Sequence, residues 1–202
     1  MTPFARKAPI DLQEHLQRLE ALGLLTKIQV PIDKDSELHP LARWQFQGGL
    51  PDEQRRGFLF TEVKGAKGET YDIPVAVGVL AASPAIYAAG LGVSEDEIGD
   101  VWVKAMEQPI DPVTVTEAPC QEVVVTGDEL KQEGKGLGSL PVPISTPGFD
   151  SAPYFTATLC VTRDPENGIR NMGTYRAALK AEDRLGVRMA SRLSGAGGYQ
   201  HW

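Results

Sequence analysis

Residues 167–176 read NGIRNMGTYR and follow the alternating run PYFTATLCVTRDPE at 153–166. A turn that leads into a strand offering Asn171, Thr174 and Arg176 together suits an anion, or a metal ion that carries one. Arg176 brings a permanently charged planar fork that matches a carboxylate or a phosphate. In a strand beginning near Ile169, the period of two puts Asn171, Gly173 and Tyr175 on one face and Met172, Thr174 and Arg176 on the other. Thr156 and Thr158 fall on the preceding strand of the hairpin, within reach of the same cavity, and Arg188 and Arg192 come from the next segment. Gly173 has no side chain, which would let a ligand or another backbone come close. The pattern alone is also that of an ordinary amphipathic hairpin with Arg and Asn in water, and no single spacing in it is diagnostic.

The elements that must hold these residues are legible around them. IDLQEHLQRLEAL, 10–22, sets Leu12, Leu16, Leu19 and Leu22 near helical spacing, with Asp11 as N-cap, Glu14 three residues on and Gly23 as stop. LLTKIQV, 24–30, alternates as a strand closed by Pro31. HPLARWQF, 39–46, reads as a short helix ended by Gly48 and Gly49. GFLFTEV, 57–63, and IPVAVGVL, 73–80, are strand-like, the second apolar enough for an interior strand. Ser83 with Pro84, and Ser94, each open a helix. Helix and strand alternating in this way predict a small N-terminal α/β domain over 1–108. The Pro-punctuated PIDPVTVTEAP marks a linker at 109–119. Beyond it, QEVVVTG, YFTATLCVTRD, IRNMGTYRAALKA and RLGVRMASRL read as short strands, the middle two joined through Asn-Gly in DPENG. They predict a β-rich barrel or sandwich over 120–202, so the fold class is α+β. LPVPISTPGFDSAP is a stiff Pro-containing loop. KQEGKGLGSL, 131–140, fits neither a phosphate loop nor a dinucleotide fingerprint and is expected to be a flexible surface turn.

With 202 residues the chain can bury a sizeable core. Its net charge of −7 argues against nucleic acid or an anionic membrane as a partner held by bulk electrostatics. No apolar run approaches the roughly 20 residues that span a bilayer. The N-terminus lacks a signal-peptide pattern, and the cytoplasm is the expected compartment. Cys120 and Cys160 have no metal-type spacing and are expected to be buried thiols in a reducing compartment. His15 and His39 are expected to be surface or cap residues. The last residues, YQHW, suggest the front part of a longer protein or of a barrel that another chain completes.

The string LPVP…DSAPYFTATLCVTRDPENGIRNMGTYR resembles the UbiD-type family of prenylated-flavin-dependent (de)carboxylases. The resembling parts are the proline-bearing Leu140–Pro143, the strand Pro153–Thr156, the hairpin Thr162–Arg176 and Tyr199–Trp202. CQEVVVTGDEL, 120–130, also looks like the lead-in to the family's flavin domain. The likeness is strong from about residue 109 and weak before it.

The resemblance implies the first part of a split β-barrel that binds prenylated FMN, whose phosphate is held through Mn²⁺ with K⁺ nearby. Asn171 matches the family's amide ligand of the divalent metal, and the Met172 backbone carbonyl stands where K⁺ is faced. Gly173, Thr174 and Tyr175 match the segment beside the flavin, and Thr156 matches a neighbouring cofactor contact. Arg176 matches the Arg of a catalytic Glu-Arg-Glu network. Ser191 and Arg192 fall in the segment that usually carries a metal-binding His, and Arg192 takes the position of that His. A guanidinium has no lone pair for a metal. Arg192 then contacts the phosphate directly, or water completes the metal's shell, or His201 supplies a ligand by a shifted register.

The family's metal-binding Glu and its two catalytic carboxylates fall beyond this chain. The implied activity is reversible, non-oxidative decarboxylation of aromatic or α,β-unsaturated acids, with CO₂ as co-product. A flavin prenyltransferase would supply the cofactor, and the assembly would be a homo-oligomer. The alternative is a flavin-binding or assembly module without catalysis.

Overall fold

The computed structural model describes residues 7–189. α1 (Leu12–Ala21) begins where the sequence places its cap: Asp11 Oδ1 accepts from the Glu14 amide at 2.8 Å, and Glu14 Oε2 accepts from the Ile10 amide at 2.9 Å. These bonds satisfy donors that a helix N-terminus otherwise leaves open. Gly23 stops the helix at φ 69°. There follow β1 (Leu25–Ile28), β2 (Ile32–Asp33), α2 (Leu38–Gln47), β3 (Gly57–Phe60), β4 (Val63–Lys64), β5 (Thr70–Tyr71) and β6 (Val75–Val77). α3 (Pro84–Leu91) has Ser83 as its cap and Pro84 in its first turn, and α4 (Ile98–Glu107) follows a capping box made by Ser94 and Glu97.

β3 lies between parallel β1 and antiparallel β6, and β4 lies between parallel β2 and antiparallel β5. The run 73–80 is therefore no interior strand. Pro74 precedes β6, Gly78 turns the chain away at φ 72°, and the remaining apolar residues Val79 and Ala82 enter the core from a turn. One core cluster joins Leu19 to Val79, Ala82, Ile86 and Ala89, so α1 packs on α3. The other joins Ile32, Leu38, Phe60 and Val63 beneath α2. Leu19, Leu38, Phe60 and Ile86 have no exposed surface, and each such side chain contributes about 1.5–3 kcal/mol by leaving water.

His15 is only 4% exposed, which corrects the expectation of a surface residue. Its Nε2 donates to the Val79 carbonyl at 2.7 Å and pins α1 to the turn after β6.

After α4 the described chain is extended and lightly covered. QEVVVTG forms no strand: Val123 and Val124 are exposed, and 3-10 turns flank them. A β-branched run becomes a strand only beside a partner ladder, and none of the described strands pairs with it. The Gly-rich stretch is docked rather than a free surface turn. Leu137 donates its amide to the Glu182 carbonyl at 2.9 Å, and Gly138 donates to Glu182 Oε2 at 3.0 Å.

The rest is antiparallel: β7 (Tyr154–Phe155), β8 (Leu159–Arg163), β9 (Arg170–Thr174), β10 (Ala177–Ala181) and β11 (Arg184–Val187). β10 lies between β7 and β11, while β8 and β9 form the expected hairpin. Cys160 is half-buried and Cys120 exposed, both as free thiols, so neither is the buried thiol expected.

Candidate functional site

The run IRNMGTYRAALKA is not one strand. β9 pairs with β8 and ends at Thr174, whereas β10 starts at Ala177 and pairs with β7 and β11. Tyr175 and Arg176 are the step between the two sheets. Ala177 and Ala178 directly after them are buried, and their small side chains let the sheets meet. Opposite runs a second step, Thr156–Thr158, between β7 and β8. Thr156 and Thr158 therefore lie on a bend and not on the hairpin strand. The two steps are joined where the Tyr175 amide donates to the Thr158 carbonyl at 3.3 Å. Alternation along β9 follows the period of two: Asn171, Gly173 and Tyr175 are half-buried, and Met172, Thr174 and Arg176 are exposed.

Arg176 is held from two directions. Its Nη2 donates to Asp150 Oδ1 at 2.8 Å, and its guanidinium carbon stands 3.9 Å from the centre of the Tyr154 ring. The other carboxylate oxygen, Asp150 Oδ2, accepts from the Thr146 amide at 2.9 Å. Burial works to raise the Asp150 pKa. The hydrogen bonds from Arg176 and Thr146, with the charges of Arg176 and Arg43, outweigh it and hold the carboxyl below its usual range.

The same loop is gripped from α2. Arg43 Nη2 donates to the Ser145 carbonyl and to Thr146 Oγ1, each at 3.0 Å. His39 Nε2 lies 3.5 Å from Ser145 Oγ. Burial, then the charge of Arg43, lowers the His39 pKa from 6.5 against the opposing pull of Asp150. His39 thus faces the Ser145 loop and is not a cap.

Asp150, Tyr154, His39 and Arg43 are the residues that sequence reasoning missed. In FDSAPY Asp150 stands four residues before Tyr154, the register partner of Ala178 on β10, but that pairing is not written in the sequence.

A cleft of about 790 Å³ opens at the step, lined by Tyr154, Thr174, Tyr175, Arg176, Lys180 and Arg188 among others. Gly173 lines it too, but its missing side chain makes room for a neighbour within the chain. A Cβ on Gly173 would stand 2.5 Å from Tyr175 Cε2, so the Tyr175 ring occupies the space that a ligand was expected to use. Thr156 and Thr158 line a second cleft of about 780 Å³, mainly apolar, with His39, Phe46, Val142 and Tyr154. Asn171 and Met172 line neither of these two clefts. Ser191, Arg192, His201 and Tyr199–Trp202 lie outside the described residues.

The first cleft combines tyrosine rings with cationic side chains, a donor set that fits a planar aromatic anion such as a flavin phosphate. The metal is less well served. Among the described residues no cluster of three His, Cys, Asp or Glu side chains is present, and Asn171 alone is a weak neutral ligand.

Comparison with known proteins bears on the same residues. The family model for the 3-octaprenyl-4-hydroxybenzoate carboxy-lyase N-terminal domain matches residues 16–106, and that for the carboxy-lyase Rift-related domain matches 112–202. Among solved structures, the UbiD-class enzyme HmfF from Pelotomaculum thermopropionicum in complex with FMN is 30% identical, with a TM-score of 0.73 over 90% of this chain and 37% of that one. An evolved dimeric form of the same enzyme with prFMN is 29% identical, with a TM-score of 0.74 over 91% of this chain and 39% of that one. The 3,4-dihydroxybenzoic acid decarboxylase from Enterobacter cloacae is 25% identical, with a TM-score of 0.74 over 93% of this chain and 38% of that one. The chain spans well under half the length of each of these relatives. From the first helix to the paired sheets of the cleft, the chain belongs to the UbiD family.

Proposed function

We propose that this chain is the N-terminal part of a prenylated-FMN-dependent carboxy-lyase that reversibly decarboxylates aromatic or α,β-unsaturated acids. The observation that carries the reading is the cleft at the sheet step, where Arg176 is fixed between Asp150 and Tyr154 with the Tyr175 ring beside it. Membership of the UbiD family supports it, as do relatives described with FMN and prFMN. In this reading residues 1–108 are the N-terminal domain, 109–119 the linker and 120–202 the first part of the flavin domain.

Prenylated FMN, when bound, supplies the electron sink that loss of CO₂ from an unsaturated carbon requires. The chain's own residues bind and orient. Arg176 pairs with the substrate carboxylate through the N–H groups not used by Asp150, and tunes the pKa of an acidic partner from elsewhere in the protein. Tyr175 and Tyr154 present ring faces to planar groups. Lys180 and Arg188 give the cleft a positive potential that attracts anions. Gly173 and Thr174 shape the wall of this cleft, and Thr156 lines the apolar cleft beside it. On the family resemblance, Asn171 and the Met172 carbonyl would be the chain's contributions toward Mn²⁺ and K⁺, and Ser191 and Arg192 its contributions toward the phosphate. A proton delivered by a carboxylic acid of the family's Glu-Arg-Glu network replaces the departing CO₂. A cytoplasmic homo-oligomer supplied by a flavin prenyltransferase completes the proposal.

The test is the full-length protein co-expressed with a flavin prenyltransferase. Its intact mass and ultraviolet-visible spectrum are recorded, and CO₂ release is followed over a panel of aromatic and unsaturated acids. Modified-flavin absorbance with turnover supports the enzyme. Stoichiometric flavin with no turnover on any acid, and no exchange of labelled CO₂, would leave the flavin-binding module instead.

A further inference from the structure

We infer that Asp150 is the positioning residue of Arg176, and that α2 of the N-terminal domain holds Asp150 in place through Arg43. The inference rests on the proposed role of Arg176 at the substrate carboxylate.

Three features distinguish this contact from a chance surface ion pair. Both Asp150 oxygens are engaged, one by Arg176 and one by the Thr146 amide, so the carboxylate has a fixed plane. The Asp150 side chain is only 13% exposed, whereas that of Arg176 is 49% exposed. The holding group is thus covered and the held group faces the cleft. The Tyr154 ring then fixes the guanidinium plane from its flat side. A guanidinium with one Nη2–H committed to Asp150 and one face against the Tyr154 ring keeps its remaining N–H groups, in a restricted orientation, for a second carboxylate.

The loop that carries Asp150 is itself anchored from outside the flavin domain. Pro141, Pro143 and Pro147 stiffen it. Arg43 closes two hydrogen bonds onto Ser145 and Thr146, the latter being the residue whose amide holds Asp150. The path Arg43–Thr146–Asp150–Arg176 therefore runs from a helix of the first domain to the site by direct contacts. Small displacements matter at such a site, since misplacement by about 1 Å can cost on the order of a hundredfold in rate.

The experiment loads the full-length protein with plain FMN and titrates benzoate and cinnamate against their uncharged amides, reading the flavin difference spectrum. With no turnover in the cuvette, the readout is binding alone. In Asp150→Asn, FMN affinity is expected to stay within about twofold while carboxylate affinity falls by roughly tenfold to a hundredfold and amide affinity holds. Arg43→Met should move the carboxylate alone in the same direction by a smaller factor, and it keeps the inference testable if the Asp150 variant does not fold. A merely structural role would weaken acids and amides alike, and that result overturns the inference. Arg176→Ala separates the two layers. If it abolishes the preference for acids while Asp150→Asn and Arg43→Met retain it, only the positioning role fails. If Arg176→Ala itself retains the preference, the underlying reading of Arg176 fails and takes the inference with it.

Discussion

The Gln45 carboxamide closes both hydrogen bonds of one residue's backbone. Its Oε1 accepts from the Arg56 amide at 2.8 Å, and its Nε2 donates to the Arg56 carbonyl at 3.0 Å. Gln45 is 6% exposed, so this is a buried side chain acting as a missing strand neighbour just before β3. It fixes α2, the helix that carries His39 and Arg43 to the Ser145 loop. Gln45→Ala would leave Arg56 with an uncompensated donor and acceptor, and a loss of about 1–3 kcal/mol is expected in urea unfolding. Gln45→Glu keeps one acceptor but removes the donor and adds a buried charge, and should cost no less.

His39 gives the contact between α2 and the Ser145 loop a pH dependence. Its folded pKa lies below 6.5, principally because burial disfavours the cation and Arg43 repels it. The folded state then binds fewer protons than the unfolded chain, so stability is full above the unfolded pKa of 6.5 and falls as pH drops through the folded value. Unfolding free energies measured at about pH 7.5, 6.5 and 5.5 should decline in that order. His39→Gln, which cannot titrate, should flatten the part of the slope that His39 causes.

Gly173 is expected to matter for an internal reason. The Cβ of Ala would stand 2.5 Å from the edge of the Tyr175 ring and 2.9 Å from its Cζ, closer than real contacts allow. The ring must shift, and with it one wall of the cleft. Gly173→Ala should therefore cost up to about 1 kcal/mol of stability, the low end of overpacking because a half-buried side chain can give way, and should weaken flavin binding as measured by fluorescence titration. The double variant Gly173→Ala/Tyr175→Leu would recover stability without recovering flavin affinity, since the ring face is then gone.

Local signals decided what could be read without coordinates. Asp11, Ser83 and Ser94 named their helices because a cap acts within a turn of chain, and the hairpin around Asn167–Gly168 was visible for the same reason. Tertiary partners decided the rest. VVV at 123–125 has strand propensity but no described partner ladder, and VAVGVL is broken by Gly78, where the core wanted a turn. The step at Tyr175–Arg176 is followed by two consecutive buried residues, Ala177 and Ala178, where the burial no longer alternates, but two alanines in a row carry no sidedness that a sequence could show. Asp150 was hidden differently. It meets Arg176 across 26 positions only because β7 and β10 pair, and no spacing in the chain encodes that distance.

Arg176 should separate function from stability. Its guanidinium uses an edge for Asp150 and a face for Tyr154, and it remains 49% exposed. At that exposure an ion pair is screened by water, and its contribution is expected to be below about 1 kcal/mol. Lys at this position keeps the charge but cannot offer an edge and a stacking face together, nor a fork to a second carboxylate. Arg176→Lys in the full-length protein should therefore shift the thermal midpoint by no more than about 2–4 °C. The same change should lower decarboxylation by roughly a hundredfold or more, the scale of a lost positioned electrostatic contact. Calorimetry and CO₂ release on one preparation measure both. A variant that melts early and loses activity in proportion would mark Arg176 as a structural residue. Unchanged melting with lost turnover is what a side chain held by Asp150 and Tyr154 for a substrate carboxylate must give.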